Sequence, residues 1–308
     1  MRIRFRSLHG IVLLDKPLHM SSNQALQAAR KLLRAEKGGH TGALDPLATG
    51  LLPLCLGEAT KVAGTLLGSR KAYLAECRLG VTTATADLEG EIVQERPVPI
   101  LDAERIEQAL GRFRGRIVQV PPVYSALKQD GEPLYLKARR GEAVEAPPRE
   151  VDIFRLDLLE HDGDRLKLYV ECGSGTYIRS LAVDLGEDFG CGAHLTALRR
   201  LWVEPFRERA MITLDMLVEA ASRGDEALLA LVRPIADGLT DLPALRLDAA
   251  ESIAVSQGRQ IQVLPLADIT RHAVFADDGR LLALADIGPD GVLRIARGFN
   301  LPPGGAIC

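Results

Sequence analysis

The run GGHTGALDPLATGLL, residues 38–52, sets His40, Thr41 and Asp45 among four glycines and one proline, then turns apolar. Glycine reaches turns that other residues resist, and proline fixes one dihedral and removes a donor. A loop of this kind gives up chain entropy to hold a few polar groups in set positions. It reads either as a tight connection between a helix and a strand or as an active-site loop. Asp45 before Pro46 suits a turn former, and also a nucleophile, a general base, a metal ligand or a helix cap. A phosphate cradle fits poorly. Neither GxGxxG nor GxxxxGK[ST] occurs, and the run is expected to follow a helix rather than a strand.

Outward from this run the chain alternates strands and helices. GIVLLDKP, 10–17, reads as a short buried strand ended by Pro17. In SSNQALQAARKLLRAEK a serine can cap a helix whose Ala25, Leu26, Ala29, Leu32 and Leu33 share one face, with Gly38 and Gly39 expected to stop it. LLPLCLG reads as a strand made irregular by Pro53, and KAYLAECRLG, 71–80, as a strand carrying Tyr73. TTATADLEGEIV reads as a polar loop entering another strand, and DAERIEQALGRF, 102–113, as a helix capped by Asp102. Residues 115–151 are rich in Pro, Gly and charge, with Tyr124 and Tyr135 interleaved with Lys128, Lys137, Arg139 and Arg140. They read as an excursion over the main body, of a composition that suits RNA contact. VDIFRLDLLEH and RLKLYVECG form paired strands across an HDGD turn. GTYIRSLAVDLGEDFG starts a helix near Thr176, so Tyr177 and Arg179, two apart, point in different directions. After a boundary near 234–248 comes a helix around 248–257. Three short strands follow, separated by DDG and GPDG turns.

Composition narrows the class. A chain of 308 residues with 47% apolar content buries a large core, in one big domain or two unequal ones. The net charge of −3 gives no sign of nucleic acid, yet RIRFR, GRFRGR, LKARR and ALRRL cluster positive charge locally. Cys55, Cys77, Cys172, Cys191 and Cys308 form no CxxC pair, which favours reduced thiols in the cytoplasm. The six histidines show no ligand spacing, so no metal centre is expected. Neither a signal peptide nor a membrane span is legible.

The segment GGHTGALDPLATGLLPLCLGEATKV resembles the signature of the TruB family of tRNA pseudouridine synthases. LLDKPLHMSS resembles the family's N-terminal KPxGxSS-type motif, and KAYLAECRLGVTTATADLEG its second segment. CGSGTYIRSLAVDLGEDFGCGAHLTALRRL resembles its third, and PPVYSALKQDGEPLYLKARRGE is similar to its RNA-clasping insertion. The matches run in order from about residue 10 to 202. They imply an α+β fold, the pseudouridine synthase fold, with a mixed, largely antiparallel central sheet over residues 1–240 and the insertion at about 120–150. The β-rich tail, 245–308, matches the size and place of a PUA-like β-barrel domain that binds RNA.

The implied activity is isomerisation of uridine 55 to pseudouridine in the tRNA T-loop, by base flipping and without a cofactor. Asp45 would be the catalytic aspartate, Tyr73 would stack on the uracil, and Arg179 would pair with Asp45. Tyr177 and Leu198 would line the base pocket, His40 would fill the gap left by the extruded base, and Lys16 would support the site. The implied partner is the T-arm of tRNA, with no membrane and no metal, for a cytoplasmic monomer. One departure stands in KPLHMSS, where His19 replaces the family's usual glycine and puts the backbone of that loop in question. Two other classes remain: a tRNA-folding chaperone without turnover, and a small-molecule enzyme with a phosphate loop.

Overall fold

The computed structural model describes residues 4–302, apart from Ser69, Ala126, Asp130, Ala143 and Glu145. Lys128, Pro133, Tyr135 and Arg139 are described by their backbone alone. Expectations resting on the side chains of Lys128, Tyr135 and Arg139, and on Cys308, therefore lie outside the described residues.

The order begins β1 (Gly10–Lys16), α1 (Ser22–Leu33), β2 (Gly38–His40), β3 (Ala48–Leu56), α2 (Ala63–Leu67), β4 (Lys71–Leu79), β5 (Val81–Thr83) and β6 (Ile92–Glu95). It continues α3 (Ala103–Arg112), β7 (Gly115–Gln119), β8 (Lys128–Gln129), β9 (Glu132–Pro133), α4 (Leu134–Arg139), β10 (Arg149–Asp162) and β11 (Arg165–Cys172). Then come α5 (Ile178–Asp188), β12 (Ala193–Val203), α6 (Leu214–Arg223), α7 (Asp225–Leu229), β13 (Ala244–Leu247) and α8 (Ala249–Ser256). The chain closes with β14 (Ile261–Gln262), β15 (Thr270–Ala276), β16 (Leu281–Ile287) and β17 (Val292–Gly298). These elements form two compact units, one of residues 1–45, 51–67 and 205–308, the other of 46–50 and 68–204.

In the first unit, α1 opens with a capping box in which Ser21 accepts from the Gln24 N–H and Gln24 answers. It stops at Leu33, before the glycines expected to end it. Arg34 takes a left-handed φ of +54°, and its N–H closes onto the carbonyls of Arg30 and Lys31. The chain then pairs with the N-terminal segment, Arg6 N–H to Arg34 O at 2.7 Å and Glu36 N–H to Arg6 O at 3.0 Å. This tertiary pairing pulls residues 34–36 out of the helix and frees 38–40 to become β2. β2 lies antiparallel to β3 from Gly38–Leu56 to His40–Leu54, so the Asp45 loop follows a strand rather than a helix. Pro53 falls between the part of β3 that pairs with β12 and the part that pairs with β2, where a missing N–H is tolerated.

The tail sheet also belongs to the first unit. Its order is β13-β15-β16-β17-β14, with β13 parallel to β15 and the remaining pairs antiparallel. It has five strands where the sequence suggested three, because ALRL and IQ are too short to show periodicity yet add at the two edges. Val255 of α8 packs with Leu247, Val274, Leu282 and Leu293 in its core. The strand end is fastened by Lys61 Nζ on Gly298 O at 2.8 Å and by Asn300 N–H on Glu58 Oε2 at 2.7 Å.

The second unit is built on β12, β4, β11, β10 and β7, in that order, with Ala48–Gly50 of β3 beside β12. β12 runs parallel to β3, while β12–β4, β4–β11, β11–β10 and β10–β7 are antiparallel. The sheet is therefore mixed and largely antiparallel, as expected. α3 carries its Asp102 cap and packs with α5. TTATADLEGEIV folds as the β5–β6 hairpin.

The four described cysteines are buried and free. Burial pushes the Cys55 and Cys77 thiols up to about 12 and Cys172 to about 11, so they stay protonated near neutral pH. No helix among the described residues is long and apolar enough to cross a membrane.

Candidate active site

Lys16, His40 and Asp45 lie in the first unit; Tyr73, Tyr177, Arg179 and Leu198 lie in the second. Asp45 is half-buried, and its approach is fixed from α1. The Ser22 hydroxyl, itself buried, donates to Leu44 O at 3.0 Å and accepts from the Leu44 N–H at 2.7 Å. Both backbone groups of the residue before Asp45 are thereby held by one side chain. Upstream, Thr41 N–H extends the β2 ladder to Pro53 O at 3.1 Å, and Gly42 turns the chain at φ +79°, a conformation that suits glycine. Sequence reading treated Ser22 only as a possible cap; a hydroxyl reaching a loop 22 residues away leaves no local pattern.

Lys16 is fully buried at the end of β1. Its ammonium donates to Pro17 O at 2.7 Å and Met20 O at 2.6 Å, wrapping the turn PLHM around itself. Within that turn His19 takes φ +63°. The backbone there is left-handed, a conformation that favours glycine and that an exposed histidine tolerates. A non-glycine residue there costs about 1–2 kcal/mol, partly offset by the extra freedom glycine has when unfolded. His19→Gly should therefore raise Tm by about 1–3 °C in a thermal melt, using about 2–4 °C per kcal/mol. A drop in Tm would show that the imidazole stabilises the turn through contacts of its own.

In the second unit, Tyr73 on β4 stands opposite Arg200 on β12 and Val170 on β11. Leu198 stands opposite Ala75, two residues along the same ladder, so Tyr73 and Leu198 share one face as diagonal neighbours. Leu198 is also paired with Ala48, and Arg200 with Gly50, on the parallel side. Burial pulls the Lys71 ammonium, two residues before Tyr73, down to about 8, and the Arg200 charge adds to that effect.

Arg179 sits in the first turn of α5, 5% exposed. Its Nη1 donates to Thr85 O at 3.0 Å and lies 3.4 Å from Asp87 Oδ2, while Nη2 donates to Tyr124 O at 3.0 Å. Asp87 was missed by sequence reading, which took its segment for a polar loop. It is buried, accepts from the Glu89 N–H at 3.0 Å and the Thr85 hydroxyl, and bridges to Leu195 on β12. The local signal was there in the Thr-x-Thr-x-Asp pattern of short hydrogen-bonding side chains. Its ionic partner lies 92 residues away and had none. A buried guanidinium of this kind needs several acceptors to offset desolvation, and these three supply fixed directions. At the same helix start, Tyr177 is the N-cap residue, held through its backbone by the Gln119 side chain and faced by the Arg149 guanidinium 5.3 Å from its ring.

Among the described residues, several arginines of the GRFRGR and LKARR runs, with the nearby Arg105, are paired within the protein. Arg112 and Arg105 reach Asp188 at 2.5 and 3.1 Å, Arg114 reaches Glu107 at 2.5 Å, and Arg140 forks between Glu132 and Glu142 at 2.5 and 2.7 Å. Clustered arginine in the sequence therefore overstates the positive charge these segments present.

Known proteins match this arrangement along the whole chain. Residues 30–178 match the N-terminal domain of TruB family pseudouridylate synthases, and residues 179–240 match the tRNA pseudouridylate synthase B C-terminal domain. A tRNA pseudouridine synthase B of Xanthomonas campestris is 56% identical over 307 residues, covering 100% of this chain and 99% of the relative. One of Xylella fastidiosa is 55% identical over 97% of this chain and 99% of its own, and one of Pseudomonas fluorescens 49% identical over 96% of each. Among solved structures, a Cbf5-Nop10-Gar1 complex superposes with a TM-score of 0.73 at 25% identity, over 100% of this chain and 89% of that one. An H/ACA RNP bound to a substrate RNA containing 2'-deoxyuridine gives 0.74 at 24% identity, over 98% and 87%, a likeness of fold. The pseudouridine synthase fold with a PUA-like C-terminal sheet is thereby established. On the family matches and the full-length identity, this chain belongs to the TruB family of pseudouridylate synthases.

Proposed function

We propose that this protein isomerises uridine 55 in the T-loop of tRNA to pseudouridine, with Asp45 as the catalytic carboxylate. Its relatives along the full length are tRNA pseudouridine synthases, and the chain is an isomerase that forms pseudouridine in tRNA. The observation that carries the finer reading is the register of β3, β12 and β4. Ala48 pairs with Leu198, which pairs with Ala75, one diagonal from Tyr73. Three residue steps of chain run from Asp45 to Ala48, a reach of at most about 11 Å. In this reading the carboxylate at the end of that tether acts on a base resting on Tyr73 and Leu198.

The reaction breaks N1–C1′, turns the detached base and rejoins it through C5. The C5 proton leaves and N1 takes one up. Nothing is oxidised and no group is added, so the chemistry calls for no cofactor. Asp45 starts it, by attack on the sugar or base or by removing a sugar proton. Arg179, aimed by Asp87, Thr85 and Tyr124, pairs with Asp45 and keeps it ionised. Everting the uracil costs a few kcal/mol, and stacking on Tyr73 returns about 1–3 kcal/mol. Tyr177 and Leu198 line the pocket, His40 fills the gap left in the loop, and Lys16 braces the PLHM turn. The 120–150 insertion and the 245–308 tail grip the T-arm, and the enzyme works as a cytoplasmic monomer on a catalytic body of residues 1–240.

Tyr73→Leu should lower the single-turnover rate on the order of 10²-fold with the fold intact, as judged by circular dichroism, because a branched aliphatic side chain does not stack. A near-normal rate would remove the stacking role. The cellular test is to map pseudouridine in tRNA from cells lacking the protein. Loss confined to position 55 is expected. Retention at 55 with loss elsewhere would reassign the target, and unchanged modification with poorly folded tRNA would favour the chaperone reading.

A further inference from the structure

We infer that Gln119 is a positioning residue that locks the start of α5, so that the insertion and Arg179 act as one mechanical piece. The inference rests on the proposed roles of Tyr177 and Arg179. Gln119 ends β7 and is 1% exposed. Its side-chain amide meets the Tyr177 backbone twice: Oε1 accepts the Tyr177 N–H at 3.1 Å and Nε2 donates to Tyr177 O at 3.3 Å. A side chain here does what a neighbouring strand does, fixing both backbone groups of one residue. Tyr177 is the N-cap of α5 and has no side-chain cap of its own, so Gln119 sets the direction in which the helix begins.

The stitching continues along the chain. Ser180 Oγ donates to Val120 O at 2.7 Å, and Arg179 Nη2 donates to Tyr124 O at 3.0 Å. The insertion leaves the sheet at Gln119 and returns at Arg149, and these two residues are paired across β7 and β10. Arg149 also stands over the Tyr177 ring, 5.3 Å from its centre. Both roots of the insertion therefore hold Tyr177, one by its backbone and one by its ring. An insertion that shifts on gripping RNA shifts Tyr177, and with it the guanidinium two residues on. Gln119 thus couples RNA grip to alignment of the arginine without itself touching the base.

The test measures single-turnover pseudouridine formation and tRNA Kd for Gln119→Met and Gln119→Glu, each alone and with Arg179→Lys. Methionine keeps the length and removes both hydrogen bonds; glutamate keeps the acceptor for Tyr177 N–H and loses the donor. Gln119→Met should slow the reaction on the order of 10²-fold, as a misplacement near 1 Å does, with Kd within about twofold. Gln119→Glu should recover part of that loss. In the Arg179→Lys background the further effect of Gln119→Met should shrink to less than about threefold, because residues acting through one another are not additive. A merely structural glutamine would lower rate and affinity together and multiply fully with Arg179→Lys; either result overturns the inference. If Gln119→Met does not fold, Gln119→Glu must still be slowed at unchanged Kd, and a wild-type rate for it overturns the inference. Arg179→Lys at full rate would instead overturn the reading of the site, whereas an impaired Arg179→Lys beside a normal Gln119→Met sinks this inference alone.

Discussion

Asp45→Asn is expected to cut single-turnover pseudouridine formation at least about 10⁴-fold while tRNA affinity stays within about tenfold. That loss corresponds to about 5.5 kcal/mol of transition-state stabilisation. Asparagine has the same size and keeps a carbonyl oxygen, so the clamp of Ser22 on Leu44 and the turn at Gly42 should hold. What it lacks is the negative charge that attacks carbon or takes a proton. The two effects separate cleanly if RNA is gripped by the insertion and the tail and the carboxylate is reserved for chemistry. Filter binding reads the affinity and release of tritium from C5 reads the turnover. A variant that turns over normally would remove Asp45 from the mechanism. One that loses affinity in parallel would make it a binding residue.

Gly50→Ala is expected to be strongly damaging to the fold. Gly50 takes φ +96°, where an L side chain is strained by about 1–3 kcal/mol. A Cβ there would also press into the Arg200 carbonyl oxygen and sit 2.8 Å from the Arg200 nitrogen. Those atoms belong to the backbone of β12, which is paired with β4 on its other side and has nowhere to move. Strain and overpacking together should reach about 4 kcal/mol or more, in the exceptional range for one substitution. The expected readout is a Tm lower by on the order of 10 °C, or loss of soluble protein. Gly64→Ala is the control, since a Cβ there meets nothing within 4 Å and alanine favours its helix. A Tm unchanged in Gly50→Ala would mean that β3 and β12 do not approach this closely.

The reason for the glycines of 38–52 was only partly legible. Sequence reading assigned them to the turns of a loop that holds His40, Thr41 and Asp45 in set positions. Gly50 serves a contact inside the protein, against a carbonyl 150 residues away, and no local pattern carries such a contact. Elements governed by their own side chains were legible: the Asp102 cap of α3, the alternation of β4, and the HDGD turn between β10 and β11. The end of α1 was not, because Arg34 adopts its left-handed turn for the sake of pairing with Arg6. At the site the same division holds. The signature run singled out Asp45, and the resemblance singled out Arg179. The groups that aim them, Ser22 on Leu44 and Asp87 on Arg179, act across 22 and 92 residues and emerge only when the chain is folded. The doubt over His19 fell on a residue whose backbone takes the left-handed conformation that favours glycine.

The central claim is that the protein rearranges one uridine per tRNA, the one at position 55. It is tested most directly by counting tritium released from tRNA transcripts labelled at C5 of every uridine. The account predicts one equivalent per tRNA from the native transcript, and none when uridine 55 is replaced by cytidine. Release that continues at the same stoichiometry from the substituted transcript would contradict it.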